Sequence, residues 1–169
     1  MDAAELRAMQ APIKDKYKSD AAAAMITLRA KGSIDETSIA CKVETGRALA
    51  VAGLHPATGG SGMELCSGDM LLEALVACAG VTLKAVSTAL GINLKAGHVS
   101  AEGDLDFRGT LGVSKEAPVG FAQIRLKFDV DADEPQEKLD QLLKLTERYC
   151  VVYQTIKSGP PVDVSMTRV

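Results

Sequence analysis

The stretch that decides the fold is "SGDMLLEALVACAGVTLKAVSTALGI", Ser67 to Ile92. Ser67 is a residue type preferred at a helix N-cap, and the carboxylate of Asp69 complements the dipole of a first turn. Gly91 suits the position that follows a helix. The pattern therefore predicts one helix that ends near Leu90 and is about 33 Å long. Because this helix is apolar nearly all round, we expect other elements to enclose it.

The segments before this helix have the pattern of short strands. Apolar and polar residues alternate in Met25–Ile34, Ser38–Gly46 and Arg47–Gly53, with glycine-containing turns between them. This spacing predicts an antiparallel meander. The loop-like segment 54–68 then leads into the helix.

The N-terminal residues form a separate feature. Residues 3–24 are rich in Ala, Leu, Lys and Glu, which favour a helix, and we expect Pro12 to break it into two pieces. We divide the chain into an N-terminal helical arm, residues 1–24, and a main domain, residues 25–169.

The segments after the helix predict two strands, at 98–109 and 120–133, joined by a long hairpin tip. Residues 134–150 have the leucine spacing of a helix, and 151–159 predict a further helical turn. We expect residues 160–169 to close the chain as a strand. This order predicts an α+β fold in which helices pack on antiparallel sheets.

Composition and charge indicate which classes of binding partner to expect. The chain has 169 residues, a net charge of −3 and no tryptophan, and no basic stripe or aromatic platform indicates a nucleic-acid partner. Glu73 and Lys84 interrupt the central apolar segment, whose uninterrupted runs are shorter than the roughly 20 residues of a membrane span. The N-terminus has no signal-peptide pattern. We expect a soluble cytoplasmic protein with no membrane partner.

Four cysteines raise the question of thiol chemistry. They are Cys41, Cys66, Cys78 and Cys150. No pair has CxxC spacing, and the two histidines, His55 and His98, are isolated, so we expect no metal and no cofactor. A reducing compartment would keep these cysteines as free thiols.

Each cysteine taken alone is consistent with simple packing, because free cysteines are among the most buried residue types. Cys78 lies among small apolar residues of the central helix, and Cys150 ends a leucine-rich helix. Cys41 alternates with apolar neighbours, which favours a core position. Cys66 immediately precedes the central helix, whose N-terminus would lower a thiol pKa, so it is an alternative partner thiol.

Two motifs, in this order, resemble the OsmC/Ohr family of thiol-dependent hydroperoxide reductases. They are "LLEALVAC", Leu71–Cys78, and "ERYCVVYQTIKSGPPVDV", Glu147–Val164. The resemblance extends from about Ser38 to the end of the chain. It implies an OsmC-like fold, with antiparallel sheets around a long buried central helix, and an intertwined homodimer.

The resemblance also implies a two-cysteine peroxidase that reduces organic hydroperoxides. Cys78 would attack the peroxide and become a sulfenic acid, and Cys150 would condense with it to a disulfide. An external dithiol, for which a lipoyl-type group is a candidate, would then reduce the disulfide. An apolar pocket, bordered by His55 and Tyr153 and walled by Met63, Met70 and leucines, would suit an organic substrate.

The chain departs from the family pattern at the groups that activate the first thiol. The family places a glutamate near the helix start, which holds an arginine beside the thiol. Asp69 is the nearest match to that glutamate, and Arg47 is the first candidate for the arginine, with Arg148 as a second. Val151 stands where proline commonly follows the second cysteine. These departures keep two alternatives open, a non-catalytic small-ligand-binding module and a redox-sensing or other thiol protein.

Overall fold

The computed structural model describes residues 2–20, 25, 31–34, 40–44 and 49–168. The elements, in chain order, are α1 (Ala3–Ser19), β1 (Lys31–Ile34), β2 (Ala40–Glu44), β3 (Leu49–Gly53), β4 (Leu65–Cys66), α2 (Ser67–Leu90), β5 (Ala96–Leu105), α3 (Phe107–Thr110), β6 (Phe121–Asp131), α4 (Gln136–Tyr149) and α5 (Val151–Ser158). A short 3-10 turn, Pro56–Thr58, lies between β3 and β4.

The strands form two small sheets, and the fold is α+β as predicted. Strands β1, β2 and β3 pair antiparallel in sequence order, which confirms the meander. Strand β4 was not predicted, and it pairs parallel with β3 through Gly53 and Cys66. Strands β5 and β6 form a separate antiparallel ribbon, in which a register shift follows Asp104.

Helix α2 has nearly the predicted bounds. The expected N-cap, Ser67, is instead the first helical residue, and Cys66 occupies the N-cap without a side-chain capping bond. The reason is that the pairing of β4 with β3 keeps the backbone extended through Cys66. The helix ends as predicted at Gly91, whose φ of 70° is in the left-handed region that glycine adopts without strain.

One stripe of α2 provides the centre of the core. Leu75, Ala79, Leu83 and Ser87 are buried at intervals of four residues. Leu83 packs with Ile92 and Leu142 in a buried cluster, to which β6 adds partly buried residues. Helices α1, α4 and α5 and strand β5 all contact α2. Helix α2 is therefore the element that α1, α4, α5 and β5 share as a packing partner.

The opposite face of α2 is apolar but exposed in the single chain. Ala74, Ala77, Val81 and Ala85 lie on this face, and the Val81 side chain is 73% exposed. In the described part of the chain, the expected enclosure of α2 is thus incomplete. By length and composition α2 also reaches the threshold for a membrane span, alone among the described helices, a threshold that core helices of soluble proteins reach as well.

Two expectations about the ends of the chain are wrong. Pro12 does not divide the N-terminal helix, since α1 continues through it from Ala3 to Ser19. A capping box between Asp2 and Glu5 fixes its start. Residues 160–168 form no strand and are exposed, because no described strand of the same chain pairs with them. The division into an arm, 1–24, and a domain, 25–169, stays a prediction.

The core stripe gives a first prediction. Leu142 is 2% exposed, so Leu142→Ala leaves a cavity and should lower the free energy of unfolding by roughly 2–5 kcal/mol. The matched control is Leu111→Ala on the hairpin tip, where the side chain is 55% exposed and the cost should be below about 1 kcal/mol. Urea denaturation at one protein concentration measures both. Equal losses would contradict the assigned core.

Candidate active site

Cys150 is at a break between two helices. Helix α4 ends at Tyr149, and Cys150 has an extended backbone, with φ −74° and ψ 107°. Its N–H donates to the carbonyl of Thr146 at 2.9 Å, and its carbonyl accepts from the N–H of Gln154 at 3.0 Å. The Gln154 side chain also donates to the carbonyl of Glu147 at 2.8 Å. Cys150 thus caps α4 and α5 together, and a side-chain bond spans the break.

The break leaves the first N–H groups of α5 without partners inside that helix. Those of Val151 and Val152 act as hydrogen-bond donors to the sulfur of Cys78, and so does the thiol of Cys150. Cys78 is half-buried on α2, which contacts both α4 and α5. The structure therefore brings together the two cysteines that the sequence singled out.

The two thiols have opposite pKa shifts. Burial raises the pKa of Cys78, but hydrogen bonds from Val152, Cys150, Val151 and Thr82 together outweigh it, so this pKa is lowered. Burial raises the pKa of Cys150, and the nearby Cys78 sulfur raises it further. Both cysteines are free thiols in this structure. The arrangement favours a thiolate at Cys78 beside a protonated thiol at Cys150.

The donors around Cys78 are uncharged. In the described residues, no lysine or arginine is among the groups that lower its pKa. Nor do the described residues include a cluster of His, Cys, Asp or Glu that could hold a metal ion. Backbone N–H groups, the Thr82 hydroxyl and the Cys150 thiol are therefore the groups that lower the pKa of Cys78.

The structure does not place the predicted activating residues at the thiol. Asp69 is exposed, and nine residues separate it from Cys78, which is about 14 Å along the axis and half a turn around it. Arg148 is exposed, with its guanidinium carbon 5.7 Å from the centre of the Tyr149 ring. Arg47 lies outside the described residues, so its role stays a prediction.

The remaining cysteines lie elsewhere. Cys66 precedes Cys78 by twelve residues of α2, about 18 Å, so it is not placed to act as an alternative partner thiol. It lines a cavity of about 360 Å³ with His55, whose ring stacks on Phe107 at 4.9 Å. The side chain of Cys41 lies outside the described residues.

A larger groove, of about 960 Å³, lies beside α4, α5 and β6. Leucines and aromatic rings form much of its wall, including Leu75, Phe121, Leu139 and Tyr153. Tyr153 borders it as expected, whereas Met63 is 88% exposed and does not line it. This groove is large enough for a small apolar molecule.

Fold and thiol pair together define an α+β protein with two adjacent cysteines, one on the central helix and one at a helix break. The profile of the OsmC-like protein family matches residues 59–165, more than half of the chain. The chain belongs to the OsmC-like family, which confirms the resemblance. No curated protein sequence matches it.

Solved structures support the same fold. An OsmC-like protein from Mycoplasma pneumoniae has a TM-score of 0.65 and 13% identity, covering 79% of this chain and 89% of its own. An organic hydroperoxide resistance protein OsmC from Legionella pneumophila has a TM-score of 0.61 and 16% identity, and the match covers 80% of this chain and 92% of that protein. OhrB of Bacillus subtilis, an organic hydroperoxide resistance protein, has a TM-score of 0.52 and 15% identity, and the match covers 79% of this chain and 93% of that protein.

The backbone donors were not anticipated from the sequence. Val151 and Val152 act through their N–H groups, and no side-chain pattern marks such a role. One signal was the departure at position 151, since valine has the N–H that proline lacks. Thr82, four residues after Cys78, was a second signal, because residues at this spacing share one helix face.

This geometry gives a second prediction, on Val151→Pro. Proline fits the first position of a helix, and the extended Cys150 is the backbone that a preceding residue prefers, so the fold should persist. Losing one N–H donor raises the pKa of Cys78. Alkylation of Cys78 at pH 7 should slow roughly threefold, because the lost thiolate is partly offset by higher nucleophilicity.

Iodoacetamide labelling followed by peptide mapping, across pH 5–10, gives the rate at each cysteine. Val151→Ala keeps the N–H and should match the parent chain. An unchanged pH profile for Val151→Pro would contradict the assigned donor.

Proposed function

We propose that this protein is a thiol-dependent peroxidase that reduces organic hydroperoxides through Cys78 and Cys150. The observation that carries the proposal is the placement of Cys78 on α2, which contacts both helices that meet at Cys150, together with a lowered pKa at Cys78 and a raised pKa at Cys150. A peroxidatic cysteine needs a thiolate, and a resolving cysteine must be close to it.

The reaction has two steps at the protein. The Cys78 thiolate attacks one peroxide oxygen, the O–O bond breaks, and the leaving alkoxide takes a proton to become an alcohol. Cys78 is then a sulfenic acid. The Cys150 sulfur attacks the Cys78 sulfur, a disulfide forms and water leaves. The peroxide is reduced by two electrons, which the two thiols supply.

The substrate class follows from the surroundings and the relatives. The groove beside Tyr153 is walled largely by apolar side chains, and although the two cysteines do not line it, it borders α4 and α5, the helices that meet at Cys150, which favours a substrate that carries an organic group. Three of the solved structures with this fold are named organic hydroperoxide resistance proteins. The proposal extends that activity to this chain.

The proposed cycle needs an external dithiol and no bound cofactor. Two thiols of the reductant exchange with the Cys78–Cys150 disulfide and return both cysteines to the reduced state. A lipoyl-type dithiol is the candidate that the family resemblance implies. The setting that we propose is the cytoplasm, where a reducing pool keeps both thiols available.

The third prediction tests the cycle. One equivalent of an organic hydroperoxide should consume two thiols of the reduced protein and yield a Cys78–Cys150 crosslink in peptide maps. Hydrogen peroxide should react more slowly. If Cys78 stays reduced under excess organic hydroperoxide, the peroxidase proposal is wrong.

Three serine variants assign the roles. Cys78→Ser should abolish thiol loss, because it removes the nucleophile. Cys150→Ser should stop at a sulfenic acid that dimedone traps on Cys78. Cys66→Ser is the matched control and should behave as the parent chain, because Cys66 lies about 18 Å away along α2.

We further propose that the protein is a homodimer whose subunits meet at the exposed face of α2. Ala74, Ala77, Val81 and Ala85 make this face apolar and small, which lets a second helix approach closely. The C-terminal segment presents a second set of exposed apolar residues, Val162, which is 80% exposed, Val164 and Met166. Apolar patches of this kind mark protein interfaces.

The fourth prediction concerns this interface. Val81→Arg should convert a dimer to a monomer in light scattering coupled to size exclusion, because it places a charge in an apolar contact. Val81 is 73% exposed in the single chain, so the subunit fold should survive. Leu111→Arg, at another exposed apolar site, should leave the dimer intact. A parent chain that elutes as a monomer would contradict the proposal.

A second candidate function is a non-catalytic small-ligand-binding module. The groove of about 960 Å³ favours it, because its lining does not include Cys78 and does not depend on thiol chemistry. In that case the groove binds an apolar molecule while Cys78 stays reduced under peroxide. The thiol-loss measurement separates the two candidates.

A further inference from the structure

The carbonyl oxygen of Glu147, in the last turn of α4, has a side-chain donor where a helix would supply a backbone one. In a continuous α-helix this oxygen would accept the N–H four residues later, which is that of Val151. Among the described residues that backbone bond is absent, because the chain is extended at Cys150. The side-chain amide of Gln154 donates to the same oxygen instead, at 2.8 Å and in a partly buried position.

Gln154 bonds to both sides of the helix break. Its backbone N–H donates to the Cys150 carbonyl at 3.0 Å, which belongs to the first turn of α5, and its side chain reaches back to α4. The Cys150 N–H donates at 2.9 Å to the carbonyl of Thr146 on the α4 side. Cys150 is therefore held by α4 at its N–H and by Gln154 at its carbonyl, and the Gln154 amide ties the two helices together.

The break also sets the position of the Cys150 thiol. Leu142, Thr146 and Cys150 follow one another at intervals of four residues, and each is at most 2% exposed, so Cys150 continues the buried stripe of α4. This stripe faces α2, where Leu142 packs with Leu83. A disulfide requires the two Cα atoms to lie within about 7 Å of each other, so a change in the angle between α4 and α5 would alter the reach of Cys150 to Cys78.

We propose that Gln154 is a positioning residue that keeps Cys150 within disulfide distance of Cys78. It does so by donating to the Glu147 carbonyl in place of the Val151 N–H, which maintains the α4–α5 break. Without this amide, the unpaired carbonyl would favour recapture of the Val151 N–H and extension of α4 through Cys150. The catalytic role of Gln154 rests on the proposed peroxidase function, in which Cys150 must reach the sulfenic acid of Cys78.

The fifth prediction uses Gln154→Met, which keeps the length of the side chain and removes its donor. The readout is the equilibrium between reduced protein and the Cys78–Cys150 disulfide in glutathione buffers, with both forms counted by peptide mapping. Each disulfide formed converts one glutathione disulfide to two glutathione thiols, so the equilibrium constant is the effective concentration of one cysteine at the other. This concentration should fall roughly fivefold, because one hydrogen bond no longer holds Cys150 in place.

Two matched variants complete the design. Gln154→Glu removes the donor with a group of the same shape and should also lower the effective concentration, and it serves if the methionine variant does not fold, as judged by circular dichroism. Gln141→Met makes the same exchange at an exposed position of α4 and should match the parent chain. A purely structural defect destabilises the reduced and the oxidised protein alike, so it lowers the free energy of unfolding without moving the redox equilibrium.

An unchanged effective concentration in both Gln154 variants overturns the inference, as does a parent chain that forms no Cys78–Cys150 disulfide in these buffers. The readout requires no peroxide. A lowered effective concentration in a protein that does not consume peroxide would support the role of Gln154 and refute the proposed function. Peroxide consumption through the two cysteines, with both variants at the parent value, would do the reverse.

Discussion

The site depends on one local constraint, the interruption of helical structure at Cys150. If α4 continued into α5 without a break, the N–H groups of Val151 and Val152 would be bonded inside one helix and unavailable to Cys78. The extended backbone of Cys150 frees them, and the Gln154 side chain, bonded to the Glu147 carbonyl, spans the interruption. The core contact between Leu142 and Leu83 then fixes α4 against α2. Packing far from the thiols therefore sets the position of their donors.

Helix α2 has one face that is buried in the core and another apolar face that is exposed to solvent. Its stripe from Leu75 to Ser87 is the core, yet its other face presents Ala74, Ala77, Val81 and Ala85 to solvent. Cys78 lies between these two faces and is half-buried. A thiol in such a position is close enough to the interior to meet fixed dipoles and close enough to the surface to meet a substrate. Burial and access are both set by the position of residue 78 around the helix.

Much of the fold could be predicted from the sequence, because its signals are local. The bounds of α2 follow from its apolar run and Gly91, and the meander follows from alternation and turn residues. The strand expected at 160–168 was wrong because an alternating segment still needs a neighbour to pair with. The division expected at Pro12 was wrong because one missing N–H did not stop α1, whose start is capped by Asp2 and Glu5.

The two cysteines of the site could be predicted from the sequence, but the groups that lower the pKa of Cys78 could not. The two cysteines are visible in the sequence as residue types, and the resemblance of their two motifs to the family implied that they act as a pair. The groups that lower the pKa of Cys78 include the N–H groups at the start of α5, whose role arises from the relative placement of α2 and α5, and the hydroxyl of Thr82 on α2 itself. A search for a carboxylate and an arginine looks for side chains, and Asp69 is about 14 Å along α2 from the thiol.

The backbone donors have a consequence for how this site changes over evolution. An N–H group belongs to every residue except proline, so neighbouring side chains can drift without removing it. Such a site leaves little trace in residue-by-residue identity, except that proline at position 151 would remove one donor. Divergence of the side chain at position 152 is therefore a poor measure of lost chemistry, and the geometry of the helix break is the trait that selection would have to preserve.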